Sequence, residues 1–123
     1  MIHLTLPIAP TINHYYGQSG HRKFIRPAGL KFRQEVAEIV ADAGHPTIEG
    51  RVWLFVTVSP ANKRRQDIDN RAKPLQDALT HAGVWLDDSQ VDLLLLYRQP
   101  VIKGGRMQVI IMEVEDGIEQ KAA

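Results

Sequence analysis

RVWLFVTVSPANKRRQDIDNRAKPLQDALTHAGVWLDDSQVDLLLLY, residues 51–97, passes through three patterns in turn. Arg51 to Val58 is rich in β-branched and aromatic residues and reads as a central strand. Leu75, Ala78, Leu79 and Ala82 recur at helical spacing and predict a helix over 70–82 that stops at Gly83. Pro74 restricts where that helix begins, because proline is tolerated in the first turn and disruptive deeper inside. Val91 to Tyr97 is a short apolar run and reads as a buried strand.

Working outward, Leu30, Phe32, Val36, Ile39 and Val40 predict an amphipathic helix over 28–43, ended by Gly44. Ile2, Leu4 and Leu6 alternate with His3 and Thr5 as a half-exposed strand does, and Pro7 and Pro10 end it. Between the two, Thr11 to Pro27 is polar, carries Gly17 and Gly20, and reads as a long loop of the kind that is functional or mobile. On the other side, Met107 to Val114 is a further strand. Lys103-Gly104-Gly105-Arg106 fits a hairpin turn before it, the glycines supplying positive φ. The tail after Asp116 is expected to fray. The order β-α-β-α-β-β implies an α+β fold: a small mixed β-sheet packed with two main helices on one face.

The chain has 123 residues, which fits one domain over 1–123 and leaves no room for a repeat array or a two-lobed nucleotide fold. With no Cys, neither a disulfide framework nor a thiolate zinc site can form. No apolar run approaches the ~20 residues that span a bilayer, and the N-terminus lacks the order of a signal peptide, so no membrane association and a cytoplasmic location are expected.

A net charge of +1 hides an asymmetry. Residues 1–73 carry 11 Lys and Arg against 6 Asp and Glu, whereas residues 74–123 carry 4 against 8. Two basic clusters stand out: His21-Arg22-Lys23 with Arg26, and Lys63-Arg64-Arg65 followed by Arg71 and Lys73. Such clusters on a nearly neutral chain suit a directed anionic partner, though a solvated surface explains either one alone.

The second cluster brackets two aspartates, Asp67-Ile68-Asp69. In extended backbone both carboxylates point to one side and Ile68 points to the core. Neighbouring carboxylates repel, and a divalent cation removes that penalty; hard oxygen ligands suit Mg²⁺, or Mn²⁺ as a substitute. Lys73, four residues on, projects toward the same end of the helix, where it can meet a phosphate oxygen. A second acidic pair, Asp87-Asp88, meets the first if the strand from Val91 lies beside the sheet edge carrying Asp67. Carboxylates around a metal, ringed by Lys63, Arg64, Arg65 and Lys73, describe a phosphodiester hydrolase. The same residues admit a plain structural reading, with Asp69 or Asn70 as a helix cap and Asp87-Asp88 as a turn.

Arg64-Arg65-Gln66-Asp67-Ile68-Asp69-Asn70 with Lys73, then Asp77-Ala78-Leu79, then Gly83 to Val91 (GVWLDDSQV) and Lys103 to Arg106, together resemble the RusA family of Holliday junction resolvases. Leu6-Pro7 with Asn13, Tyr15 and Tyr16 resembles that family's N-terminal region. The resemblance implies a Mg²⁺-dependent endonuclease that acts as a homodimer and nicks two opposed strands of four-way junction DNA, with no organic cofactor. It implies catalytic, metal-holding aspartates at Asp67, Asp69 and Asp88, an essential lysine at Lys73, and a supporting place for Asp87.

A two-fold dimer also has a physical rationale, since two symmetric cuts need two identical sites. Val52, Leu54 or the Leu93–Leu96 run are candidates for its apolar surface, although all of them suit the core better than an interface. The DNA-contacting candidates are Lys63, Arg64, Arg65, Arg71, Arg22 and Lys23, with Tyr15 and Tyr16 either stacking on opened bases or divided, one packing on the core and the other a surface ring. The five histidines have no metal-type spacing. The rival class is a non-catalytic junction- or single-strand-binding protein whose aspartates are caps and turns; a general metal-dependent nuclease is a third reading.

Overall fold

Strands form where the sequence alternates. In Ile2–Leu6 (β1) Leu4 and Leu6 are buried while His3 and Thr5 are exposed. Arg51–Ser59 (β4) buries Val52, Leu54, Val56 and Val58 and turns Trp53, Phe55 and Thr57 the other way. Two further strands, Val91–Arg98 (β5) and Arg106–Val114 (β6), complete a four-stranded sheet in the order β1-β6-β4-β5. β4 pairs antiparallel with β6 and parallel with β5, so the sheet is mixed. The computed structural model describes residues 1–114; the fraying expected after Asp116 lies outside the described residues.

Two helices cover one face. Pro27–Asp42 (α2) starts on a proline and ends before Gly44, whose φ of +89° a glycine adopts without strain. Ala72–His81 (α3) carries Pro74 in its first turn, where the missing N–H costs little. The core joins Phe32, Val36 and Val40 of α2 and Leu75, Ala78 and Leu79 of α3 to the inward residues of β1, β4 and β6. Leu75 and Leu79 are fully buried, and each such side chain contributes about 1.5–3 kcal/mol. The fold is thus the expected α+β arrangement of a mixed sheet with two main helices.

Three expectations are corrected. The stretch 11–27 is not a long loop: it holds a single helical turn, Ile12–Tyr15 (α1), and a hairpin of Tyr16–Ser19 (β2) with Arg22–Ile25 (β3). Gly20, at φ +63°, makes its turn, and the Phe24 ring lies across Gly17 on the opposite strand. Residues 103–106 do not close a hairpin between β5 and β6, because β4 lies between those strands; Gly104 and Gly105 still supply the positive φ, in a crossover connection. β5 is a sheet edge and not a buried strand, with Leu95 and Tyr97 47% and 56% exposed. Val52 and Leu54 face the helices and are fully buried, as the core reading of them has it.

Gly29 sets how closely α1 and its hairpin approach α2. A Cβ there would lie 2.8 Å from the Tyr15 carbonyl oxygen and 2.7 Å from Ile25 Cγ2. Gly29→Ala should therefore lose about 1–3 kcal/mol to overpacking despite the ~1 kcal/mol that alanine gains in a helix. A urea unfolding midpoint reads this; a higher midpoint than the parent's would contradict the close approach.

Candidate active site

β4 ends at Ser59, and the chain from 61 to 65 runs over the surface with Lys63, Arg64 and Arg65 exposed. Asp67 follows in extended backbone, and Ile68–Arg71 then closes into a short 3₁₀ turn that leads into α3. The two aspartates consequently do not share an extended strand: Asp69 sits inside the turn. Ile68 is half-buried while Asp67 and Asp69 are both exposed, so the inward and outward sorting holds even though the backbone differs from the expectation.

Arginines fix this turn from both sides. Arg98, on β5, donates from Nη2 to the Gln66 carbonyl at 2.7 Å. Arg71 donates to the Ala9 carbonyl and, at 2.7 Å, to Gln66 Oε1, and partial burial pulls its basicity down. Arg71 thus latches the turn onto the segment after β1 and is engaged internally, a correction to its expected contact with DNA. Arg98 was not anticipated, since it closes a run that reads as core.

Asp77 lies one turn beyond Lys73 on α3. Its Oδ2 accepts from Arg33 Nη2 at 2.7 Å, from Arg33 Nε at 3.0 Å, and from the Tyr15 hydroxyl. The Tyr15 ring is fully buried, and burial together with Asp77 pushes its hydroxyl pKa well up. Tyr15 therefore belongs to the core, which corrects its expected role in stacking on bases. Tyr16 packs edge-on against Tyr15 with centroids 4.6 Å apart and stays half-buried. Its hydroxyl is pushed up to about 12, first by burial and then by the charge of Asp77, with Arg33 opposing and Asp88 adding a little. The exposed Lys73 holds its Nζ 5.6 Å from the Tyr16 ring centroid.

The second acidic pair divides. Asp87 caps the 3₁₀ turn Asp88–Gln90: its carboxylate accepts from Ser89 N at 3.0 Å. Gln90 completes the box by accepting from Asp87 N at 3.1 Å, and its amide group donates to the Ile48 and Gly50 carbonyls. Trp85, buried with its indole N–H on Thr80, anchors the approach to this turn. Asp88 is left exposed on the turn that Asp87 builds. Asp87→Asn keeps a cap acceptor and should leave both stability and DNA cleavage close to the parent's, whereas Asp88→Asn should lose cleavage. Equal losses in the two variants, by gel assay on a four-way junction, would contradict this division.

Among the described residues, no three His, Cys, Asp or Glu side chains converge closely enough to form a ready-made metal cage. What the structure does bring together is chemical availability. Asp77, Asp87 and Asp92 each have a hydrogen-bond or ion-pair partner, but the carboxylates of Asp67, Asp69 and Asp88 have none among the described residues. Free, exposed hard oxygens fit Mg²⁺, which keeps several waters and is commonly held by one or two carboxylates plus a substrate phosphate.

Two clefts flank the site. The larger, of about 760 Å³, runs between the β2–β3 hairpin and α3 and is lined by Asn13, Tyr16, Lys23, Phe24, Arg26 and Lys73 among others. The smaller, of about 270 Å³, includes Lys63, Arg64, Gln66 and Arg98. Neither contains a carboxylate. Arg22 and Lys23 are exposed on β3, and the Arg26 guanidinium lies 5.9 Å from the exposed Phe24 ring. Phe24 is a further residue that the sequence pattern did not single out, because the hairpin that displays it is polar.

Residues 6–112 match the model of the endodeoxyribonuclease RusA family. The chain is similar to the crossover junction endodeoxyribonuclease of Enterobacteria phage 82, 38% identical over 116 residues that cover 91% of this chain and 94% of the relative. It is likewise similar to the protein of that name in Escherichia coli strain K12, 37% identical over 112 residues covering 90% and 93% of the two chains. The relative in Shigella sonnei strain Ss046 shows the same identity and coverage.

Proposed function

Because this chain belongs to the RusA family of endodeoxyribonucleases, we propose that it is a Holliday junction resolvase that uses Mg²⁺ to make paired, symmetric nicks in four-way DNA. The observation that carries the site is the contrast among aspartates: Asp67, Asp69 and Asp88 are free to ligate, and their neighbours are not.

In this reading Asp67, just before the 3₁₀ turn, and Asp69, within it, would hold the ion, with Asp88 supplying a further carboxylate. Bound there, the ion would supply an activated water and would stabilise charge on the leaving oxygen. Lys73 donates to a non-bridging phosphate oxygen as charge builds there. Lys63, Arg64 and Arg65 on one side, and Arg22 and Lys23 on the other, bind the flanking backbone and screen it from the carboxylates. Tyr16, on the wall of the larger cleft, offers its ring to an opened base. No helix of the described residues is long and apolar enough to cross a membrane.

The homodimer rests on the sheet face that no helix covers. Trp53 and Phe55 on β4 lie beside Leu93 and Leu95 on β5 and Met112 and Ile110 on β6, all in register on that face. Trp53, Leu95 and Tyr97 are exposed there, an apolar patch of the kind that marks an interface. Sedimentation equilibrium should give twice the 13.9 kDa chain mass.

A labelled four-way junction, incubated beside linear duplex with Mg²⁺ or EDTA, tests the reading. Nicks on the junction alone and only with Mg²⁺ are expected. Similar rates on duplex would replace it with a general nuclease. Junction binding without nicks under any divalent ion would leave a binding protein.

A further inference from the structure

We propose that Arg33 is a positioning residue for Lys73: by occupying Asp77 it keeps that carboxylate from capturing the lysine. The proposal rests on the reading of Lys73 as the residue that meets the phosphate.

Lys73 and Asp77 are four residues apart within α3, so their side chains share one face, the spacing at which opposite charges on a helix pair. They do not pair here. Among the described residues the ion pairs are Arg33 with Asp77, at 2.7 Å, and Arg51 with Asp92, and Lys73 takes part in neither. Its ammonium lies instead over the Tyr16 ring, on the wall of the larger cleft.

Asp77 is held elsewhere by three donations onto a single oxygen. Arg33 supplies two from its forked guanidinium, and the Tyr15 hydroxyl supplies the third while itself accepting from Arg33 Nε at 2.8 Å. The charged side chains are only 22% and 31% exposed, so water screens the pair weakly and the guanidinium is its principal counter-charge. Without Arg33, a partly shielded carboxylate would face a lysine one turn away on its own helix. The local electrostatics would then draw Nζ off Tyr16 and out of the cleft.

Such a role differs from simple packing in one respect. If Arg33 acts by restraining Asp77, neutralising Asp77 must undo the loss of Arg33. If Arg33 merely ties α2 to α3, removing its second partner cannot help.

Single-turnover cleavage of a four-way junction by the full chain in Mg²⁺ should be slowed about threefold to fivefold by Arg33→Gln, with junction affinity in EDTA within about 1.5-fold of the parent's. Adding Asp77→Asn should return the rate to within about 1.5-fold of the parent's, although thermal unfolding should show the double variant no more stable than Arg33→Gln. An Arg33→Gln variant that cleaves at the parental rate, or a double variant as slow as Arg33→Gln, overturns the proposal. Lys73→Met separates the two levels. If it cleaves normally, the reading of Lys73 falls and this proposal with it; if it is impaired while the double variant stays slow, this proposal alone falls.

Discussion

Asp69→Asn is expected to abolish junction cleavage, by a factor on the order of 10³ or more, and to leave junction binding unchanged or tighter. Asparagine has nearly the shape of aspartate but lacks the charge that holds a hard cation, and removing a negative charge beside the DNA path favours binding of the phosphate backbone. The structure makes this substitution clean. Asp69 is exposed and its carboxylate has no partner to lose among the described residues, so stability should move by no more than about 0.5 kcal/mol. Parallel measurement of cleavage, gel-shift affinity in EDTA and thermal unfolding separates the three effects. Retained cleavage would show that Asp69 is a turn residue and nothing more.

Lys73→Met ranks next, with an expected loss of about 10²- to 10³-fold in the single-turnover rate. Methionine preserves much of the aliphatic stem, so what is removed is the ammonium, which lies 5.6 Å from the centre of the Tyr16 ring. Lys73→Arg should recover only part of the rate, because a planar fork does not reproduce a compact point charge at one phosphate oxygen. If Lys73→Met instead weakens binding with the rate at saturation intact, the lysine belongs to backbone attraction and not to the reacting phosphate.

Much of the architecture is legible in the sequence because it follows local periodicity. β1, β4, α2 and α3 announce themselves through alternation or helical spacing, and Gly44 and Gly83 mark the helix ends at φ +89° and +81°. Sheet order is another matter. That β5 returns parallel to β4, and that β6 enters on the other side of β4, depends on pairings between distant segments that no local pattern encodes. The leucine run of β5 illustrates the cost: the same residues suit a buried strand or an edge whose apolar face awaits a partner. The β2–β3 hairpin was hidden for the opposite reason. It is short and polar, and its one marked packing event, Phe24 over Gly17, joins residues seven positions apart across the turn.

The candidate site divides the same way. Asp67, Asp69, Asp88 and Lys73 are found by type, spacing and family resemblance, and the exposed basic residues by their clustering. Which aspartates are free is a tertiary fact. Asp77 is occupied by residues 44 and 62 positions away, and Arg71 by a carbonyl 62 positions away. Tyr15 and Arg71 look in sequence like their exposed neighbours, and only those distant partners turn them inward.

The most direct test of the central claim is the form of the product from a supercoiled plasmid that extrudes a cruciform. Paired nicks made within the lifetime of one complex convert the circle straight to a linear molecule, whereas independent single nicks yield open circles first. With Mg²⁺, linear product is expected from the outset, lost in EDTA and with Asp69→Asn. Open circles accumulating before any linear product, or cutting of a plasmid without the cruciform at the same rate, would contradict it.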